Sequence, residues 1–430
     1  MRSIVLNWKQ SISEGGIGAL MVFTLVGLLL LGVLFQTVHN RTDYEFKNRI
    51  NPRWENAIMV WIQHGYFKHG GLFFSKPGDA DPAPEASGNS TMTFVQVNHL
   101  LQRIHVWLTG EPSSRLTAIH NQFFTMIASL ILGLLAMRLT LSLGVPPWQS
   151  LLLGIGTQTV FQTFPINLGV IWDISSPNTA TAFMLLFLLL EERVYTKGDS
   201  PKLQFFRGLV IFLLFYTDVI TSWFFILSYI MIRILTAPKG FNFSIVFRVY
   251  VIPILIAYGF YTCQILLVKF NFPEMVFEKS VGQVLSRTGF DGETIYYLNH
   301  MDLLHDRWLL HLPSWRTLFY LGSLALIVAI VFAQLNKKYQ IQQTILLAGL
   351  GMYIPLTFFL SEAVVIHPYN FDQQIAWAMI LALFALLPAW LEKYNHFSGI
   401  FILFASLAAF AMSGLQLLSY WLHIPPWLVI

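Results

Sequence analysis

The feature that most constrains this chain is a series of apolar runs separated by short polar loops. The runs fall at about residues 17–38, 118–140, 148–165, 177–190, 207–220, 222–236, 246–270, 316–335, 342–361, 373–391 and 397–422. A bilayer hydrocarbon core about 30 Å thick needs about 20 helical residues to cross it. With 55% hydrophobic and only 11% charged residues, against about 25% charged in ordinary soluble domains, the chain reads as an all-α polytopic membrane protein. It has about eleven transmembrane helices forming one membrane domain over residues 1–430. The run lengths exclude a β-barrel, whose strands alternate over about ten residues. The pair 207–220 and 222–236 is short, with Asp218 at its turn. Two full spans and a short hairpin both fit it.

The first run follows Arg2 and Lys9 and ends in FQTVHN, without a small-x-small cleavage site. It exceeds the h-region of about 7–15 residues found in secretory signals, so it is read as a retained helix. Counting Lys and Arg then sets the orientation. With a cytoplasmic N-terminus, the inside loops hold Arg138, the stretch EERVYTKGDSPK with Arg193, Lys197 and Lys202, then Lys239, Arg248, Lys337, Lys338 and Lys393. The short outside loops, 166–176, 221 and 362–372, hold no Lys or Arg. The large loops 39–115 and 271–315 therefore fall on the periplasmic, extracellular or lumenal side. Within the first of them, Trp54, Ile58, Trp61 and Ile62, and then Phe94, Val97, Leu101, Ile104 and Leu108, recur at helical spacing. They suit amphipathic helices lying in the membrane interface.

The net charge of +4 is scattered over short loops, which gives no nucleic-acid footprint. Cys263 is the single cysteine, so no intramolecular disulfide and no cysteine cluster forms. No Walker A, GxGxxG, HExxH or GxSxG motif is present. Polar chemistry concentrates in four outward-facing places: Asp43 with Glu45, Trp172 with Asp173, NHMDLLHDRWLLH, and SEAVVIHPYNFDQQ.

A carboxylate beside lipid has its pKa raised toward the range useful for a general base, which makes Asp43 and Glu45 candidates as well as plain solvated flanks. Asp173 precedes Ser175, Ser176 and Pro177, so it equally suits the dipole at a helix N-terminus. Glu362, His367, Tyr369 and Asp372 crowd one membrane-helix start, where polar groups are costly and mark function. Asp302, His305 and Asp306 share a helical face beside Arg307. With Asp173 they are the candidate ligands for a divalent metal such as Mg or Mn, whose dependence stays undetermined. His64 with His69, and His99 with His105, are spaced so that they do not stack on one helical face.

A first helix, then the acidic pair of TDYE opening a large outer loop with interfacial helices, then about ten more helices: this arrangement resembles the GT-C class of integral-membrane glycosyltransferases, which includes the protein O-mannosyltransferases and aminoarabinose transferases. The resemblance implies a glycosyltransferase that moves a sugar from a polyprenyl-phosphate donor to an acceptor on the outer membrane face, with inversion. It implies Asp43 as the base, Glu45 as its neighbour in the motif, and Asp173 as a second acid. The leaving phosphate would be met by Arg287, Arg307, Arg316 or His367, since charge developing in the transition state needs donors. The chain ends in HIPPWLVI without the C-terminal soluble domain of many relatives, which favours a lipid or glycan acceptor over a protein. Two alternatives stand beside this reading. One is a polysaccharide ligase or polymerase. The other is a secondary transporter or flippase, for which Gln158, Gln162, Asp218 and Gln264 are the mid-helix polar candidates.

Overall fold

The structure is a computed structural model that describes residues 16–40, 62, 73–74, 86–87, 92–111, 113–164, 167, 177–236, 242–271, 316–335, 339–359, 368–395 and 399–422. Among the described residues the fold is helical, apart from a two-residue antiparallel pairing of β1, Phe73–Phe74, with β2, Ala86–Ser87. The helices are α1 (Ile17–Asn40), α2 (Met92–Thr109), α3 (Ser114–Ser142), α4 (Pro147–Gln162), α5 (Pro177–Lys197), α6 (Pro201–Thr217) and α7 (Val219–Thr236). Then come α8 (Phe243–Val246, a π turn Phe247–Val251, then Ile252–Asn271), α9 (Arg316–Leu335) and α10 (Gln340–Phe359). The last two are α11 (Pro368–Leu381, a π turn Ala382–Leu386, then Leu387–Asn395) and α12 (Ile400–Trp421).

Among the described residues each predicted apolar run holds a helix, and six of these helices are long and apolar enough to cross a membrane: α1, α3, α8, α9, α11 and α12. Two of the other helices show why they fall outside this set. Helix α4 has 16 residues, about 24 Å at 1.5 Å per residue. Helix α5 runs through Glu191, Glu192, Arg193 and Lys197, so the expected inside loop EERVYTKGDSPK is helical up to Lys197. The correction has a reason: two of those charges are neutralised by arginines on neighbouring helices, as described below.

Local signals account for the boundaries. Helix α3 ends in a Schellman arrangement, with Gly144 at φ 85°, its N–H on Leu141 O at 2.9 Å and Val145 N–H on Thr140 O at 3.2 Å. Glycine adopts that left-handed conformation without strain. Pro146 and Pro147 then start α4, where a missing N–H costs nothing. Both π turns contain the residue four before a proline: Val249 before Pro253, and Phe384 before Pro388. A widened turn relieves the ring's clash with that carbonyl.

Helix α11 is the axis of the bundle and packs on α3, α4, α5, α9, α10 and α12. Its apolar window is 83% buried, against 28% for α1 and α8, which present Leu25, Leu29, Leu255 and Phe260 outward. That distribution suits a bundle whose solvent is lipid. Close packing comes from small residues. A Cβ placed on Gly154 of α4 would lie 2.7 Å from Gly133 O of α3 and 2.7 Å from the Phe23 ring of α1, so these three helices meet only because both positions are glycine. The predicted amphipathic stretch is α2, which buries His99 and Gln102 while leaving Leu100, Ile104, Trp107 and Leu108 exposed. Gln102 fixes it to α3 through Ser113 O at 2.7 Å and Thr117 Oγ1 at 3.1 Å.

Candidate functional site

The helix ends sort into two polar districts. At one end of the bundle, here the basic end, Arg207 Nη1 of α6 donates to Glu191 Oε1 of α5 at 2.7 Å, and its Nη2 to Asp199 Oδ2 at 2.8 Å. Glu191 also accepts the hydroxyls of Tyr229 on α7 at 2.6 Å and Tyr250 on α8 at 3.3 Å. Next to it, Arg138 of α3 pairs with Glu192 at 2.5 Å. Lys393 Nζ donates to Leu143 O at 2.6 Å and lies 5.2 Å from the Tyr339 ring centroid. Gln342 Nε2 reaches Ser142 Oγ at 2.6 Å. Segments that the charge count grouped on one side are thus brought together, from α3, α5, α6, α7, α8, α10 and α11. The carboxylates of Glu191, Glu192 and Asp199 are matched to Arg207 and Arg138, which makes this district a clamp.

Halfway along the bundle, α4 supplies amides to its neighbours. Gln158 Nε2 donates to Phe23 O at 2.8 Å and Gln162 Nε2 to Gly27 O at 3.1 Å, tying α4 to α1. Ser129 Oγ of α3 donates to Gln162 Oε1 at 3.2 Å, and Thr163 Oγ1 to Gln416 Oε1 of α12 at 3.0 Å. Just beyond, Gln122 Nε2 meets Asn167 O at 3.3 Å, and Asn167 Nδ2 meets Phe161 O. Polar bonds between membrane helices are worth about 0.6–2 kcal/mol each. Gln158 and Gln162, the mid-helix polar candidates, therefore serve helix packing, and Gln264 bonds Tyr216 Oη at 3.0 Å.

The end opposite the basic one is where Asp218 lies. Arg207 and Tyr229, eleven residues before and after it, both return to Glu191, so α6 and α7 form a hairpin whose tip is Asp218. The carboxylate caps α7, with Oδ1 accepting Thr221 N–H at 3.1 Å and Oδ2 accepting Thr221 Oγ1 at 2.7 Å. Gln374 Nε2 of α11 donates to the same Oδ2 at 3.3 Å. At this end, too, an apolar groove of about 340 Å³ opens between α1 and α3, lined by Leu28, Leu31, Phe35, Ala118 and Ile119 with Gln122 as its amide. A Cβ on Gly32 would meet nothing within 4 Å, so the groove owes part of its depth to that glycine.

Of the residues singled out by sequence, Asp43, Glu45, Asp173, Arg287, Asp302, His305, Asp306, Arg307, Glu362 and His367 lie outside the described residues. Arg316 is the first residue of α9 and Tyr369 the second of α11, and these two helices pack on each other. Both positions are at the Asp218 end. Among the described residues, no group of three His, Cys, Asp or Glu stands close enough to hold a metal ion. Sequence reasoning passed over Gln374 and Gln122. Their signals, DQQ before an apolar run and HNQ inside one, are visible once buried amides are sought. No family model and no curated protein matches the chain.

Proposed function

We propose that the protein is an integral-membrane glycosyltransferase that takes a sugar from a polyprenyl-phosphate donor and passes it to a lipid or glycan acceptor at the Asp218 end of the bundle. The observation that carries the reading is the groove between α1 and α3. It is apolar, it opens along a helix that is mostly lipid-facing, and its α1 wall reaches Phe35, eight residues before Asp43. In this reading the groove takes the isoprenoid chain, and the acidic pair that follows α1 in sequence acts on the phosphate-linked sugar. Burial at about 25 cal/mol per Å² makes water-to-groove transfer of such a chain favourable, but lipid solvates it as well, so shape selects the chain and polar groups beyond the groove select the headgroup.

In this reading all eleven apolar helices cross the bilayer, the basic end is cytoplasmic and the Asp218 end is the outer one. The positive-inside distribution supports that orientation. Asp43 removes the proton from the acceptor hydroxyl while the anomeric carbon passes through an oxocarbenium-like state, as in inverting glycoside chemistry with an alcohol in place of water. Glu45 and Asp173 assist, and Arg287, Arg307, Arg316 or His367 meets the departing phosphate.

The test is transfer by the purified full chain in nanodiscs from radiolabelled polyprenyl-phosphate hexose and pentose donors. Asp43→Asn is expected to abolish turnover, and Gly32→Phe, whose Cβ would meet nothing within 4 Å and whose ring would occupy the groove, to raise the donor KM. Full activity in both variants would overturn the reading. Activity in Asp43→Asn alone would point to a ligase or polymerase that needs no first-loop acid.

A further inference from the structure

Helices α6 and α8 run side by side in the same direction. A Cβ on Gly208 would lie 3.2 Å from Pro253 Cγ, the Phe212 and Phe260 ring centroids are 5.7 Å apart, and Gln264 Nε2 donates to Tyr216 Oη at 3.0 Å. Each α6 residue in this series meets one 45–48 positions later, so Lys202, in the first turn of α6, stands level with residues 247–250 of α8. Arg248 is among them. Both side chains are exposed, and neither has a hydrogen bond or ion pair among the described residues. Asp199, the acid closest to Lys202 in sequence, is taken by Arg207 and Gln204.

The two cations also share a side. At about 100° per residue, the exposed stripe of α6 (Lys202, Phe206, Leu209) is turned about 90° one way from the stripe that faces α8. On α8 the exposed stripe (Arg248, Ile252, Ile256) is turned about 90° the other way from the stripe that faces α6. Between parallel helices, opposite turns bring both stripes to one side of the seam. Arg248 lies five residues inside an apolar span that starts at Phe243. A cation on a lipid-facing surface there is costly unless its stem carries the charge out to headgroup level. A phosphate at that level accepts from the ammonium and from the guanidinium fork, and the stripes beyond receive acyl chains. A soluble anion leaves the apolar stripes unused, and a zwitterionic lipid brings a cation of its own to a pair that is already cationic.

We propose that Lys202 and Arg248 bind the phosphate of an anionic phospholipid whose acyl chains lie along the α6/α8 seam, at the basic end of the bundle. The site stands apart from the groove between α1 and α3, and it holds whether or not the chain transfers sugar.

The experiment is native mass spectrometry of the full chain in detergent, titrated with phosphatidylglycerol and phosphatidylcholine of identical acyl chains. Wild type is expected to prefer phosphatidylglycerol. Lys202→Gln and Arg248→Gln are each expected to cut that preference about fivefold, the contribution of one cation beside an anionic headgroup, and Lys202→Arg to keep it. Both positions are exposed, so the melting temperature should stay near that of wild type. Arg193→Gln removes an exposed cation of the same end that sits on α5 rather than on the seam, and it is expected to leave the preference in place. Equal binding of the two lipids by wild type overturns the proposal, as does a preference unchanged in the double variant of Lys202 and Arg248. A loss as large in Arg193→Gln also overturns it and assigns a diffuse basic rim. Displacement of the lipid by inorganic phosphate at equal concentration overturns it as well and assigns a soluble anion.

Discussion

Replacing Arg207 by Ala tests the clamp at the basic end most directly. The guanidinium is 4% exposed and the Glu191 carboxylate 2%, so the variant leaves a buried carboxylate held only by the hydroxyls of Tyr229 and Tyr250. Asp199 loses its partner as well, but at 19% exposure it is partly rehydrated. Removing one member of a buried pair costs about 3–5 kcal/mol. Glu191→Ala strands the guanidinium instead and is expected to cost a similar amount. The double variant Arg207→Met with Glu191→Met removes both charges and keeps the volume, so it is expected to cost at least about 2 kcal/mol less than the sum of the single losses. The assay is equilibrium unfolding of the purified full chain in mixed micelles, followed by tryptophan fluorescence, with all variants measured in one detergent. Single losses below about 1 kcal/mol, or a double variant whose loss equals the sum, would refute the clamp.

Gly154→Val is expected to cost about 1–3 kcal/mol, since its side chain meets Gly133 O and the Phe23 ring; Gly414→Ala, with nothing within 4 Å, should show no loss in the same melt. Gln162→Leu removes the bonds to Ser129 and Gly27 and is expected to lower stability by about 1–2 kcal/mol, read by the same unfolding titration. Burial, with the nearby Arg103 adding to it, pushes the pKa of His99 down to about 4 from 6.5. The folded protein therefore keeps a neutral imidazole where the unfolded chain binds a proton, so stability falls as pH drops from 6.5 towards 4. Melting curves across that window should show the decline, and His99→Gln should make it shallower.

Much of the helical layout was legible because membrane helices must satisfy their own backbone hydrogen bonds, which turns apolar runs directly into helices. The grouping of ends followed from Arg138, Lys202 and Lys393, all predicted on one side. The α2 stripe and the turn at Asp218 were legible for the same reason, since 3.6-residue periodicity and a polar break are local signals. Partnership is a tertiary property and was not legible. Glu191 and Glu192 looked like a loop because their arginines come from 54 residues upstream and 16 downstream. Gln158 and Gln162 looked like a permeation path because their acceptors, Phe23 O and Gly27 O, lie 135 residues away. The carboxylate at Asp218 was visible, but the amide that turns towards it sits on α11.

The Glu191 hub has a consequence for how the chain is made. Its partners are spread from Arg207 to Tyr250, so ribosomal synthesis must proceed beyond α7 before the carboxylate has its full set of donors. Until then the Glu191 carboxylate and the Arg207 guanidinium lack part of the partner set that matches them in the folded bundle. Helices α5 to α8 are therefore expected to settle as a group, the ion pair being sealed only once the two tyrosines close over it.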